Sequence, residues 1–133
     1  MARRHILSFV LSHSLLATSH AITCIQKWDS VDTLFYCDPP YPGTDQFHYQ
    51  GYTQSDFEQL IDCLSEVQGT VVLSCYPNAY VPNDWKKYEF VRNCAIAKKS
   101  RITSERIETV WVKPSVRGQT STDQLELFLT ESL

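Results

Sequence analysis

Glycine is scarce in this chain. The 133 residues hold four, Gly43, Gly51, Gly69 and Gly118. No two stand close enough to build the kind of turn that lets backbone approach a cofactor. Cysteine offers no pairing pattern. Cys24, Cys37, Cys63, Cys75 and Cys94 are odd in number and contain no Cys-x-x-Cys, so neither a disulfide framework nor a zinc site follows. That usage fits a reducing compartment, and a cytoplasmic location is the expectation. Long apolar runs are missing too, so no bilayer span and no membrane partner are expected. No segment repeats. Net charge is only -3 at pH 7, which on the total alone argues mildly against a nucleic-acid binder.

The distribution of charge says more. Between Lys86 and Arg117 nine Lys and Arg face three acids, Glu89, Glu105 and Glu108, a local balance of +6. Such a stretch suits either a phosphate backbone or a solvated surface on two strands. At the other end, Arg3-Arg4 followed by Ile6 to Leu11 and Leu15-Leu16-Ala17 has the outline of a secretory leader. His13 and several serines interrupt it, and export is not the reading adopted. Residues 1–21 are set apart as a segment without an assigned role, and 115–133 as a polar tail.

The most informative feature is Asp38-Pro39-Pro40-Tyr41, placed directly after the apolar run Leu34-Phe35-Tyr36-Cys37. The run reads as a buried strand over 33–37. Two prolines end it, since neither donates a ladder hydrogen bond and each fixes its own φ. The product is a stiff turn holding a carboxylate and an aromatic ring at a strand's carboxyl end, where open α/β sheets bind ligands. A bare strand-ending turn with a solvated Asp is the bland alternative.

The remaining elements follow from periodicity. A Pro/Gly/aromatic loop covers 42–51. A helix covers 53–67, with Thr53 as N-cap, Asp56 completing a variant capping box, and Phe57, Leu60, Ile61, Leu64 and Val67 on one face. Gly69 is expected to stop that helix. Thr70 to Cys75 is a second buried strand, giving a β-α-β unit with parallel strands. Strands over 87–97 and 105–113 form a hairpin at the sheet edge, and Pro114 ends the domain. Leu125 to Leu129 is a docking strand or a frayed end. Cys37, Cys63 and Cys75 are expected to act as small core hydrophobes.

Several of these segments together resemble the DNA adenine methylase family. Asp32 to Tyr41 is similar to its motif IV strand, and Asp38-Pro39-Pro40-Tyr41 to motif IV itself in the adenine-specific form. Tyr52 to Leu60 resembles the following helix, Val71 to Tyr76 the next strand with its Ser-x-Tyr turn, and Arg106 to Trp111 a late Arg-x-Glu-x-x-Trp strand. Ile22 to Trp28 looks like the short helix leading into motif IV. The resemblance runs over residues 22–114. It implies an α/β, partial Rossmann-like S-adenosylmethionine-dependent methyltransferase fold, a mixed sheet with a C-terminal β-hairpin.

The resemblance also implies a chemistry. The exocyclic amine of adenine is a poor nucleophile because its lone pair is delocalised into the ring. In the family the motif's Asp and the carbonyl of its first Pro, here Asp38 and Pro39, accept the amine hydrogens, with Pro40 stiffening the turn. Tyr41 stacks on the flipped-out base. Asp38 also borders the cofactor, S-adenosylmethionine, and Tyr49 is a candidate for lining the base pocket together with Tyr41. The partner is double-stranded DNA carrying adenine in a specific site, as in restriction-modification. No metal is implied.

This sequence departs from the family pattern in one respect: the Phe-x-Gly-x-Gly type cofactor loop is not among its residues. The expectation is therefore a C-terminal part of a methyltransferase, either a truncated member or a half that needs an N-terminal half in trans. An open sheet edge, where strands of the cofactor half would pair, is expected with it. A secreted interaction module with an accidental Asp-Pro-Pro-Tyr is set aside by the extent of the resemblance. Tyr52 is read as an aromatic loop anchor, His48 as a surface residue, Ser74 and Tyr76 as strand-end residues near the same edge, Trp111 as core, and Arg106 with Glu108 as a surface ion pair.

Overall fold

The computed structural model describes residues 5–10, 15–40, 52–77, 79–95 and 103–118, with side chains over 19–40, 52–77, 79–91 and 107–118. Seven elements follow one another. They are β1 (His5–Val10), α1 (Leu15–Trp28), β2 (Thr33–Asp38), α2 (Gln54–Glu66), β3 (Thr70–Cys75), β4 (Lys86–Ala95) and β5 (Thr103–Lys113). The five strands form one mixed sheet in the order β1-β2-β3-β5-β4. β1, β2 and β3 run parallel, while β5 is antiparallel to both β3 and β4. The chain is thus α/β with a mixed sheet.

Alternation along β2 sorts the two faces. Phe35 and Cys37 are buried in the larger core with Ala21 and Ile25 of α1, Phe57, Leu60, Ile61 and Leu64 of α2, and Val71, Leu73 and Cys75 of β3. Leu34 and Tyr36 face the other way. There they join a smaller cluster of Val72, Val110 and Val112, with Tyr88 and Phe90 packed against it. Among the described residues both helices lie on the first face. β3 is apolar on both faces because both are covered in part, so its sequence shows a run and no alternation.

α2 follows the sequence closely. Thr53 is an extended N-cap whose hydroxyl accepts from the Asp56 N–H at 3.2 Å, while the Asp56 carboxylate accepts from the Thr53 N–H at 2.8 Å. This reciprocal pair satisfies two donors that a helix start otherwise leaves open. The helix ends at Val67, which is extended, and Gly69 is not its stop. Gly69 has a different task. A Cβ there would lie 2.5 Å from the Thr33 carbonyl oxygen and 2.9 Å from that of Ser30, so only glycine lets the α2–β3 turn meet the turn before β2. Asp29 fastens the same junction, its carboxylate accepting from the N–H groups of Gln68 at 2.9 Å and Gly69 at 3.1 Å.

Other expectations need correction. The strand ending in the motif includes Asp38, one residue further than 33–37, and the hairpin strands lie at 86–95 and 103–113. The helix before the motif starts at Leu15, upstream of Ile22, and runs across the position where the N-terminal segment was set apart. β1 pairs with β2 from His5↔Thr33 to Val10↔Asp38. The edge of β2 is therefore covered, and the apolar stretch with a leader's outline is a strand. The hairpin does not simply extend the sheet either. β5 returns between β3 and β4, leaving β4 outermost. Residues 41–51 and 119–133, holding the predicted loop and tail, lie outside the described residues.

Candidate functional site

Asp38 is the last residue of β2. Because β2 and β3 are parallel and Cys37 pairs with Leu73, Asp38 stands beside Ser74 at the C-terminal edge of the sheet. Alternation places it on the face of Tyr36. Pro39 and Pro40 follow and are both buried. Against the bland alternative of a solvated Asp, Asp38 is half-buried at a strand end. Tyr41 and Tyr49, the residues expected to meet the base, lie outside the described residues, as does His48.

The insertion of β5 brings a second carboxylate to this edge. Ser74 pairs with Val110, and Glu108 lies two residues further along β5 on the same face. Burial raises the Asp38 carboxyl above its ordinary value, and the negative Glu108 raises it further. The Tyr36 hydroxyl is raised by burial and then by both carboxylates. Asp38, Glu108 and Tyr36 thus share one electronegative edge.

The thiols around the site are quiet. Burial pushes Cys37 up to about 12, with Cys63 and Asp38 adding to it, and Cys75 likewise up to about 12. Neither supplies a thiolate at neutral pH, which leaves the carboxylates as the reactive groups of this edge. Cys63 is half-buried against the same core.

The weaker candidates divide. Tyr52 packs against the larger core, beneath the helical face, as the anchor reading expects. Its buried hydroxyl has no hydrogen-bond partner among the described residues. Trp111 is only partly buried against the same core, and its indole N–H donates to the Tyr76 carbonyl at 3.4 Å. Ser74 sits half-buried beside Asp38. The expected ion pair of Glu108 with Arg106 rests on the Arg106 side chain, which lies outside the described residues.

Among the described residues, neither glycine offers a turn at the Asp38 edge for S-adenosylmethionine, the cofactor that the resemblance implies. Gly69 is filled by its contacts with Ser30 and Thr33, and Gly118, at a φ of +67°, lies beyond Lys113 at the opposite end of the sheet. Gly43 and Gly51 lie outside the described residues. No helix is long and apolar enough to cross a membrane among the residues described. No family model matches this chain, and no curated protein and no solved structure matches it either.

Proposed function

We propose that this chain is the base-handling catalytic segment of a site-specific DNA adenine-N6 methyltransferase of partial Rossmann-like fold. The observation that carries the reading is the position of Asp38: it ends a parallel strand at the sheet's C-terminal edge, followed by two buried prolines. Asp38 and the Pro39 carbonyl accept the two amine hydrogens of a flipped-out adenine and aim the nitrogen lone pair outward. A nitrogen that gains a methyl group becomes positively charged until it loses a proton. The Asp38 carboxylate stabilises that charge, and a carboxylate with raised proton affinity is a competent acceptor for the proton. The mixed α/β sheet with its antiparallel hairpin supports the same reading.

A second version of the reading has the cofactor loop supplied by another polypeptide segment. The test is methyl transfer from tritiated S-adenosylmethionine to unmethylated genomic DNA. It is run with the chain alone and with the cofactor-binding half of an intact DNA adenine methylase supplied in trans. Transfer is expected with the added half. Asp38→Ala should lower it by roughly 10²–10³ while leaving the fold intact. No transfer in either arrangement, or wild-type rates in Asp38→Ala, overturns the reading.

A further inference from the structure

One residue of β3 breaks an otherwise buried run. From Thr70 to Cys75 every side chain is buried except that of Ser74, which is half-buried. Alternation puts Ser74 on the face of Val72, which is fully buried. That face of β3 therefore passes from valine in the middle of the sheet to serine at its C-terminal edge. One strand away, the same face of β2 ends on Asp38. Cys37 pairs with Leu73, so Asp38 and Ser74 are the next neighbours across the parallel pair. On the other side Ser74 pairs with the buried Val110. Of its two cross-strand neighbours only Asp38 is polar.

The two side chains differ in what they offer a ligand. An ionised carboxylate only accepts hydrogen bonds, while a hydroxyl also donates one. Neighbouring strands lie about 4.8 Å apart, so the edge presents an acceptor and a donor side by side. The Watson–Crick edge of adenine is their complement, since its N6 amine donates and the adjacent ring nitrogen N1 accepts. Guanine and thymine carry a carbonyl in place of the amine and an N–H in place of the bare nitrogen. Either would turn an oxygen toward the Asp38 carboxylate. Cytosine keeps the order of adenine on a smaller ring, so the pair selects amino bases. A base taken out of the stack is read by hydrogen bonds to this same edge.

We propose that Ser74 is a specificity-determining residue of this edge, its hydroxyl donating to N1 of the adenine whose amine donates to Asp38. The proposal rests on the reading of Asp38 as the acceptor for that amine. It adds recognition of the ring, because a carboxylate alone is satisfied by any amine.

The experiment measures, by fluorescence anisotropy with the full chain, affinity for a labelled single-stranded oligothymidine carrying one test base at its centre. A single strand leaves the Watson–Crick edge open, so no unpairing energy enters. The wild-type chain should bind adenine roughly threefold to tenfold more tightly than 1-deazaadenine, the range of one net hydrogen bond. 1-Deazaadenine keeps the amine and lacks N1, so this comparison needs no variant. 7-Deazaadenine should bind like adenine. Ser74→Ala should bind adenine and 1-deazaadenine alike, and Ser74→Thr, which keeps the hydroxyl, should restore the preference. Pairing the residue with the ligand atom isolates the one contact. A wild-type chain indifferent to N1, or Ser74→Ala with the wild-type preference, overturns the assignment. So does a penalty that follows 7-deazaadenine instead. Purine, which lacks the amine, tests Asp38 separately: the wild type should prefer adenine to purine, and Asp38→Ala should not. If the amine preference holds and the N1 preference fails, Ser74 loses its role and the Asp38 reading stands. An N1 preference that depends on Ser74, without any preference for the amine, removes the Asp38 reading instead. Equal affinity for every base removes both.

Discussion

Gly69 and Asp38 show how single residues trade stability against position. A methyl group on Gly69 would sit 2.5 Å from a backbone oxygen of Thr33, and a backbone atom has no rotamer to escape into. Gly69→Ala should therefore cost about 1–3 kcal/mol, seen as a lower urea midpoint with an unchanged slope. Asp38 works in the other direction. Its folded-state pKa is raised, so as pH climbs through the ordinary carboxylate range the unfolded chain releases this proton first. The ionised unfolded state is then favoured, so stability falls as the pH rises from the unfolded-state to the folded-state pKa, and the full loss is present above the latter. Asp38→Asn should accordingly be more stable than wild type at neutral pH. The gap should close as the solution is acidified below the unfolded-state pKa, and urea unfolding at several pH values measures it. A variant no more stable at neutral pH would show that the Asp38 charge is well accommodated and that the edge is not electronegative. Cys37 and Cys75, pushed up to about 12, should resist alkylation by iodoacetamide in the folded chain and react on unfolding.

At the scale of elements, α2 is held at its start by a reciprocal cap and along its length by Phe57, Leu60, Ile61 and Leu64. Thr53→Ala removes the cap alone and should cost about 1 kcal/mol by thermal or urea unfolding. Leu64→Ala opens a cavity in the fully buried face and should cost about 2–5 kcal/mol. Both features were legible in the sequence, because capping and 3.6-residue periodicity are local. β3 and the Asp38 strand were legible for the same reason, as short apolar runs between turn signals. β1 was not. His5 to Val10 is apolar behind two arginines, a pattern shared by leaders and buried parallel strands, and only its pairing with β2 separates them. The placement of Asp38 and Glu108 on one sheet face was hidden more deeply. It depends on β5 returning between β3 and β4, and nothing local to the hairpin distinguishes that from a strand simply added at the edge. Gly69 shows the same limit: its position after a helix suggested a stop, whereas its reason is a contact with residues more than thirty positions away.

Across the whole molecule, support declines from the middle of the sheet outward. β2 and β3 have strands on both sides and α1 and α2 above them, and their side chains fill the larger core. β4 is an edge strand, and its exposed Lys86, Lys87 and Glu89 are the charged residues that discourage a second sheet from pairing there. Lys87 and Glu89 form an ion pair at 2.7 Å along the strand. The arm that β4 and β5 form beyond Thr109 has least support, with one partner strand and exposed Val91 and Ile107 in place of a core. Opening should therefore be graded. Amides of Phe35 and Leu73 should exchange with solvent only through global unfolding, while those of 90–95 and 103–108 should exchange through local opening at much lower free energy. Native-state hydrogen exchange in increasing denaturant measures both, the first set following the global slope and the second nearly independent of denaturant. Uniform protection in the free chain would mean that the arm is held by contacts outside the described residues, and the graded sheet would give way to a single cooperative unit.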